Sequence, residues 1–354
     1  MPPPLNERLY LDHAATTPVS VAARSAMMDA LERWTNPSSP HADGRAARAV
    51  LEDARRRVAA ALDWDGTVIF TSGASEAIAI ALGRAKARHV ATSPIEHDAV
   101  LRVTPSARRL ALDSRGVPVI PDDLPDDGRG VLLAVQHVNN ETGVILPLAR
   151  IGATVRAAGG LLFADCAQSA GKLPLPDAEM IAISAHKFGG PPGVGALLIR
   201  DLRHIHPSGG QEQGYRAGTE NLPAILGMAA ALEDAPDWLE EATELRRALD
   251  GAIVDAGGEV VAAASPRVSA IASYRMPGVS ARAQLIQFDS AGISVSAGSA
   301  CSSGTLKTSH VLTAMGWDPV AAGEVVRVSF GPSTDAAAID RFMTVWRTIA
   351  RGRG

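Results

Sequence analysis

The first two thirds of the chain alternate short, nearly continuous apolar runs with stretches of helical periodicity. The apolar runs are TVIF, VLLAVQHV, LLFADCAQ, MIAISA and VGALLI, and helical patterns such as AIAIALGRA and LARIGATVRAAGG lie between them. Runs this apolar are typical of strands that are buried on both faces, as in a mostly parallel sheet covered by helices. We therefore expect such a sheet, with ligands bound beyond the carboxyl ends of its strands.

Two longer helical patterns frame this region. The first is arginine-rich, runs from Arg45 to Leu62, and has apolar residues at helical spacing, namely Val50, Ala54, Val58 and Ala61. The second begins near Trp238 and carries one apolar face, formed by Leu239, Ala242, Leu245, Leu249 and Ile253. The second helix leads away from the predicted sheet.

The last third of the chain mixes strand and helix patterns. It contains VSAIASY, ARAQLIQF, ISVSA and VVRVSF, and then a final helix capped near Thr334. This mixture indicates a smaller α+β domain. We expect a large domain over residues 11–245 and a small domain formed by residues 1–10 and 246–354.

Composition limits the classes of function. The 354 residues are 46% hydrophobic and 20% charged, with a formal net charge of −4, which gives no electrostatic basis for binding nucleic acid or a membrane surface. No apolar run reaches the roughly 18 residues of a membrane-spanning helix. The N-terminus has prolines where a signal peptide would be apolar, and two cysteines are too few for a disulfide framework. We expect a cytoplasmic protein without a metal site.

Candidate chemistry falls at the ends of the predicted strands. Lys187, in ISAHKFGGPPGVG, is one of only four lysines in an arginine-rich chain, and Asp165 ends the run LLFAD. Lysine can be tuned to act as a nucleophile or base, whereas arginine keeps its proton. Asp165 and Lys187 could form a structural ion pair. They could equally be the lysine and aspartate that pyridoxal phosphate (PLP) requires, for a Schiff base and for a protonated pyridine nitrogen.

The turn TSGASEA, between a strand and a helix, is a second candidate. Its small residues and the helix N-terminus could bind a phosphate group. Alternatively it is an ordinary helix start capped by Ser72 or Ser75. It is not a P-loop, and no G-x-G-x-x-G follows a strand elsewhere.

Ten motifs occur in the order found in one enzyme family. They are YLDHAATTP, NPSSPH, FTSGASEA, SPIEHDAV, HVNNETG, ADCAQSAGK, SAHK, YRAGTEN, SAGSACSSG and VRVSFG. From about Tyr10 to about Asp340 the chain resembles the cysteine desulfurases, in the class V aminotransferase group. The resemblance implies the PLP-dependent transferase fold of type I, with a mostly parallel, seven-stranded-type sheet flanked by helices and a smaller α+β domain.

The resemblance also assigns roles to positions around the PLP ring. It implies that Lys187 forms the Schiff base and that Asp165 pairs with the pyridine nitrogen. Gln168 and Asn140 match residues that bond the phenolic oxygen and help to place the substrate. His97 matches a catalytic histidine that stacks on the ring and shuttles protons.

Further assignments concern the phosphate and the substrate. The positions that match phosphate ligands are Ala74, Ser75, Ser184 and His186. Thr219 matches a phosphate contact made from the neighbouring subunit, so the resemblance implies a homodimer. Arg327 matches the clamp for the substrate carboxylate, although on a strand between Val326 and Val328 it could simply face solvent.

Cys301 selects the reaction among PLP enzymes. It lies in SAGSACSSGTLKTSHVL, a run of small residues that predicts an accessible thiol, whereas Cys166 follows Asp165 in an apolar strand and is expected to be structural. The segment resembles the long-loop subgroup, which implies that Cys301 takes sulfur from L-cysteine as a persulfide, releases L-alanine and passes the sulfur to an acceptor protein.

Rival hypotheses remain at this point. One is another class V PLP enzyme, such as an aminotransferase or a selenocysteine or cysteine-sulfinate lyase, which would not depend on Cys301. Another is a catalytically silent subunit, which would be expected to lack Lys187 or Asp165. Only about fourteen residues follow Asp340. This segment is shorter than in members of the family that the chain resembles. The protein that accepts the sulfur could therefore be a scaffold, a thiolation enzyme or a biosynthetic enzyme.

Overall fold

A seven-stranded sheet dominates the computed structural model, which describes residues 8–32, 35–121, 123, 130–235, 237–300 and 306–352. The strands are β1 (Leu9–Tyr10), β2 (Thr67–Thr71), β3 (His89–Thr92), β4 (Arg108–Arg109), β5 (Val131–Gln136), β6 (Leu161–Asp165), β7 (Met180–Ser184), β8 (Gly195–Ile199), β9 (Glu259–Val260), β10 (Ile271–Arg275), β11 (Ile293–Ser294), β12 (Ser299–Ala300), β13 (Leu306–Lys307) and β14 (Val325–Ser329). The helices are α1 (Val21–Glu32), α2 (Ala42–Ala61), α3 (Ala74–Gly83), α4 (Asp98–Val103), α5 (Leu148–Ala157), α6 (Leu222–Glu233), α7 (Leu239–Asp255), α8 (Ala281–Ser290), α9 (His310–Ala314), α10 (Pro319–Ala322) and α11 (Ala336–Arg351).

The large sheet has the strand order β2-β8-β7-β6-β5-β3-β4. Every neighbouring pair is parallel except for β8, which runs antiparallel to both β2 and β7. The mostly parallel sheet predicted from the sequence is therefore confirmed. Because the carboxyl ends of β2, β5, β6 and β7 meet at one edge, the chain brings Thr71, Gln136, Asp165 and Ser184 to the same side of the molecule.

Helices cover both faces of this sheet. All residues of β5, β7 and β8 are buried, which explains why these strands read as continuous apolar runs. On one face an apolar cluster includes side chains of α2, α5 and α6, and on the other face a second cluster includes those of α3 and α4. The packing of helices on both faces therefore fixes the positions of the residues at the strand ends.

The buried face of α2 differs from the predicted one. The helix buries Ala47, Leu51, Ala54 and Val58 against the sheet, which are spaced as one helical stripe. Val50 is 36% exposed and Ala61 is exposed as well. The prediction placed Val50 on the apolar side because the many alanines of this helix do not define its buried face.

A third apolar cluster lies around the three-stranded sheet β14-β10-β9, with α7, α8 and α11 packed on it. Phe288 and Phe342 stack with their ring centroids 4.9 Å apart, next to the fully buried Trp346. Helix α11 begins after Asp335, whose side chain accepts from the Ala338 N–H, one residue beyond the expected cap. The predicted domain boundary at residue 245 lies within α7 and stays a prediction.

The N-terminal segment joins the two regions. Strand β1 pairs in parallel with β11, and the Ser329 N–H donates to the Leu11 carbonyl. The chain then crosses to the large sheet, where the Thr17 N–H donates to the His186 carbonyl at 2.7 Å. This path lays Ala14 and Ala15 against the carboxyl edge of the sheet. No helix in the described ranges is both long enough and apolar enough to cross a membrane.

Candidate active site

A cavity of about 470 Å³ opens at the carboxyl edge of the large sheet. It is lined by ten of the twelve residues predicted to form the site: Ala74, Ser75, His97, Asn140, Asp165, Gln168, Ser184, His186, Lys187 and Arg327. Thr219 is exposed and does not line this cavity. Cys301 lies outside the described residues. The chain thus brings together residues that are far apart in sequence, whereas their individual roles stay predictions.

Lys187 follows β7 in a single 3-10 turn, Ala185–Lys187. Its Nζ donates to the carbonyl oxygens of Ala14 and Ala15 at 2.7 and 2.8 Å, so two carbonyls rather than a carboxylate hold the amine. Burial, and secondly the positive charge of Arg327, lower the pKa of Lys187 to about 8. A lysine of this kind is partly unprotonated near neutral pH and can act as a nucleophile or base.

Asp165 ends β6 and is 6% exposed. Burial raises the pKa of its carboxyl group, while a hydrogen bond from the Ala167 N–H and the nearby charges of His97 and Lys187 act in the opposite direction. A carboxylate in such a place is costly unless a cationic partner meets it. A protonated ring nitrogen of a ligand would be such a partner.

The turn between β2 and α3 forms a cradle of backbone N–H groups. Gly73 is the N-cap of α3, at φ 149°, and no side chain caps this helix, so neither Ser72 nor Ser75 is the cap and that alternative was wrong. A Cβ at Gly195 would lie 2.7 Å from the Gly73 Cα. Glycine at position 195 therefore allows the turn to lie against β8.

The cradle suits a phosphate group. The N–H groups of Ala74 and Ser75 belong to the first turn of α3, which has no intrahelical partners for them. Ser184 and His186 line the same cavity and add polar side chains. Glu76, which also lines the cavity, is paired with Arg216 at 3.1 Å, so its negative charge is compensated.

Gln168 supplies an acceptor that has no partner within the described part of the chain. Its Nε2 donates to the Ala14 carbonyl at 2.9 Å, whereas its Oε1 is buried and has no hydrogen bond to any described residue. Buried polar atoms are almost always bonded. An unpartnered oxygen that belongs to a cavity residue therefore indicates a ligand with a donor group, such as a phenolic hydroxyl.

Arg327 is buried rather than solvent-facing. It lies on β14, is 7% exposed, and donates from Nη2 to Asp12 Oδ1 at 2.7 Å and from Nη1 to the Asn140 carbonyl at 2.9 Å. Its Nε is buried and has no partner among the residues that the structure describes. The guanidinium is therefore fixed at the cavity with a donor still available, which fits recognition of a carboxylate.

His97 follows the loop after β3 and caps α4. Its Nδ1 accepts from the Ala99 N–H at 3.2 Å. The following residue, Asp98, also lines the cavity. The cap fixes the ring on the cavity side of α4.

Sequence reasoning missed several residues at or beside the cavity. His310 and Glu141 line the cavity, Asp12 holds Arg327, and the buried Glu96 contacts His310 through its carbonyl oxygen. Asp12, Glu96 and Glu141 belong to quoted motifs, and His310 lies near the end of the quoted segment that carries Cys301. The sequence alone did not identify these residues, because only tertiary contacts bring them to the site.

The surroundings of the two cysteines differ. Strands β12 and β13, which flank residues 301–305, pair with each other, and Gly298 lines the cavity. Cys166 is fully buried, and burial raises the pKa of its thiol well above the ordinary range. The prediction that Cys166 is structural is confirmed.

Comparison with known proteins defines the family. Residues 9–342 match the model of the family "Aminotransferase class-V". A cysteine desulfurase of Cereibacter sphaeroides is 35% identical, over 96% of this chain and 95% of its own length. A solved NifS-like protein superposes with a TM-score of 0.86 at 30% identity, covering 97% of this chain and 99% of its own. A structure of SspA in complex with cysteine superposes with a TM-score of 0.77 at 27% identity, covering 92% and 99%.

The chain therefore belongs to the class-V aminotransferase family, whose members include the cysteine desulfurases. Enzymes of this family depend on PLP. The cavity fits that cofactor on three independent observations: the uncapped N-terminus of α3, the buried carboxyl group of Asp165 and the unpartnered Gln168 oxygen.

The lowered pKa of Lys187 predicts how cofactor uptake depends on pH. Only the unprotonated amine attacks an aldehyde, and below a pKa of about 8 its fraction falls roughly tenfold for each pH unit. The rate at which the cofactor-free protein takes up added PLP should rise with pH and level off above about pH 8. Stopped-flow absorbance measures this rate. A rate that still rises between about pH 9 and 10, as for a free lysine, would contradict the assignment.

Proposed function

We propose that this protein is a cysteine desulfurase, which removes the sulfur of L-cysteine and releases L-alanine. The observation that carries this conclusion is the placement of Lys187, Asp165 and Arg327 around one cavity. Similarity to cysteine desulfurases over nearly the whole chain supports it. The three side chains supply an amine, a buried carboxylate and a carboxylate clamp, which an α-amino acid substrate requires.

Lys187 would hold PLP covalently, with Asp165 at the ring nitrogen, Gln168 at the phenolic oxygen, and the start of α3 with Ser184 and His186 at the phosphate. When bound, PLP supplies an aldehyde that captures amines and a ring that withdraws electrons from the substrate Cα. Asp165 stabilises this withdrawal by keeping a proton on the nitrogen, which its buried position strengthens.

Two side chains act on the amino acid itself. Arg327 binds the α-carboxylate with its free donors, while Asp12 and the Asn140 carbonyl keep the guanidinium in place. Lys187 moves the proton at Cα, a role for which a pKa of about 8 suits it. The carbonyls of Ala14 and Ala15 orient its Nζ.

The sulfur transfer depends on Cys301. Its thiolate attacks the sulfur of the substrate, so that a sulfur–sulfur bond forms on the enzyme while the Cβ–S bond of the substrate breaks. Cβ keeps the electron pair and takes up a proton, which gives alanine and an enzyme persulfide. The persulfide is then passed to an acceptor protein, either a scaffold, a thiolation enzyme or a biosynthetic enzyme. Ala300, the last described residue before Cys301, belongs to the pair of β12 and β13 that starts beside the cavity.

We also propose a homodimer. Thr219 is exposed on the loop that Arg216 ties to α3, a position from which it can contact the phosphate site of a second copy. Helix α1 carries large exposed apolar side chains: Val21 at 72%, Met28 at 64% and Leu31 at 57%. Apolar surface of this kind favours association. The cytoplasmic location expected from the sequence stays a prediction.

The test of this function is direct. Purified protein loaded with PLP is incubated with L-cysteine, and alanine and protein-bound sulfur are both quantified. One alanine should appear for each sulfur transferred, and the first turnover should proceed without a reductant. A protein that converts a keto acid in place of releasing sulfur would be an aminotransferase, and the proposal would fail.

A further inference from the structure

A negatively charged side chain lies where the phosphate group of the cofactor is proposed to bind. Glu76 is the third residue of α3, and it lines the cavity together with residues 73–75, whose turn forms the cradle. A carboxylate in this position opposes the binding of a phosphate group, because two negative charges in one cavity repel each other. Binding of a phosphate therefore requires that the charge of Glu76 is compensated.

The carboxylate of Glu76 is held from two sides. The backbone N–H of Ser72 donates to its Oε2, and the Arg216 guanidinium donates from Nε to both of its oxygens, at 3.1 and 3.2 Å. Burial by itself would raise the pKa of Glu76, but these contacts outweigh it and hold the pKa below its ordinary value. Glu76 is therefore ionised at pH 7 and has Arg216 as its cationic partner.

The bond from Ser72 also determines which N–H groups face a ligand. The N–H of Ser72 is engaged with Glu76, and the N–H of Gly73 is directed to the Thr71 hydroxyl at 3.4 Å. The next two N–H groups open the first turn of α3, where no intrahelical carbonyl can accept them. An ordered Glu76 thus fixes the turn that presents these two groups to the cavity.

The guanidinium of Arg216 is fixed by its own loop. Its Nη1 donates to the Gly218 carbonyl at 3.1 Å. In the backbone, the Gln211 N–H donates to the Arg216 carbonyl at 3.0 Å, and the Arg216 N–H donates to the Gln211 carbonyl at 3.3 Å. These contacts hold the positive charge at one place beside α3.

A second ion pair ties the same loop to β2. Glu212, which is 2% exposed, accepts from two nitrogens of Arg55 at 2.6 and 3.0 Å and from the Phe70 N–H at 2.8 Å. Glu212 and Gln213 have φ values of 47° and 56°, in the left-handed region that residues other than glycine rarely adopt. A loop that keeps this conformation is held by its surroundings. The two ion pairs attach it to the strand and the helix that flank the phosphate turn.

We propose that Arg216 is a positioning residue for the phosphate group of PLP, an inference that rests on the proposed function. It acts through Glu76: by cancelling the charge of this carboxylate, it allows a dianionic phosphate to bind at the start of α3. The carboxylate in turn fixes the cradle through Ser72. Loss of the guanidinium leaves Glu76 as an uncompensated negative charge in the cavity, whereas loss of both charges does not.

The test compares the affinities of the cofactor-free protein for PLP and for pyridoxal, which lacks the phosphate group. Absorbance titration measures both dissociation constants. In Arg216→Gln the dissociation constant for PLP should rise roughly tenfold or more, whereas the constant for pyridoxal should stay within about twofold of that of the unmodified protein. Arg216→Lys keeps the positive charge and should keep most of the affinity for PLP.

Two variants at Glu76 separate the effect of charge from that of structure. Glu76→Gln removes the negative charge and should bind PLP at least as tightly as the unmodified protein. The double variant Glu76→Gln with Arg216→Gln should recover most of the affinity for PLP that Arg216→Gln loses. Thermal unfolding of each variant shows whether the fold is intact.

The matched control is Arg203→Gln, which changes an exposed arginine that pairs with Asp201 outside the cavity and should alter neither constant. Equal losses of affinity for PLP and pyridoxal in Arg216→Gln would overturn the inference, as would a loss in Glu76→Gln as large as that in Arg216→Gln. If the protein released no alanine from cysteine, the proposed function would fail, while the two affinities would still decide the role of Arg216.

Discussion

Replacing Lys187 by alanine is expected to remove both the visible absorbance of the bound cofactor and the release of alanine. Lys187 is the lysine whose Nζ lies beside Ala14 and Ala15 in the cavity, and no arginine can replace it as a nucleophile. Turnover should fall by roughly 10⁴-fold or more, because a group that acts within a catalytic unit is lost completely. Absorbance spectroscopy and an alanine assay measure the two effects.

Lys86→Ala is the matched control, since Lys86 is exposed and does not line the cavity. This variant should keep both the colour and the activity. Thermal unfolding of both variants shows whether the fold is intact. A Lys187→Ala protein that is still coloured and active would disprove the assignment of Lys187 as the residue that binds PLP covalently.

Replacing Cys301 by serine is expected to separate binding from sulfur transfer. The variant should keep its colour and still bind L-cysteine, because the groups expected to hold cofactor and carboxylate are other residues, which line the cavity. It should form no persulfide and lose roughly 10³-fold or more in turnover, since a hydroxyl is a far weaker nucleophile than a thiolate. Cysteine labelled at sulfur, followed by peptide mapping, locates the product.

The control for this experiment is Cys166→Ala, which removes the fully buried thiol next to Asp165. It should still accumulate labelled sulfur on Cys301. Sulfide release that survives in Cys301→Ser would instead favour another class V enzyme, such as a selenocysteine or cysteine-sulfinate lyase. The two variants together thus distinguish the desulfurase from its nearest rivals.

The sequence was sufficient to predict the sheet and the position of the site. Continuous apolar runs identified buried strands, and parallel strands bring their carboxyl ends to one edge. Asp165 and Lys187 could therefore be placed together without any structure. The glycine and small residues of TSGASEA left a phosphate cradle as one of two alternatives, and the described start of α3, which has no side-chain cap, favours it.

Contacts between distant segments could not be predicted in this way. Asp12 holds Arg327 across 315 positions of the chain, and His310 meets the Glu96 carbonyl across 214. Neither pair has a local pattern, because each depends on how β1, β14 and α9 pack. The apolar side of α2 was misplaced for a related reason, since its alanines pack equally well on several faces.

The antiparallel strand β8 has a consequence for biosynthesis. Strand β2 lies at the edge of the sheet, and β8 is its one neighbour there among the described strands. A ribosome releases β2 long before it releases Gly195–Ile199, so the hydrogen-bonding edge of a nascent β2 has no partner during that interval. Unpaired apolar strands of this kind are prone to aggregate. We therefore expect nascent chains that end before Gly195 to bind chaperones, and the phosphate cradle to form only after β8 has emerged.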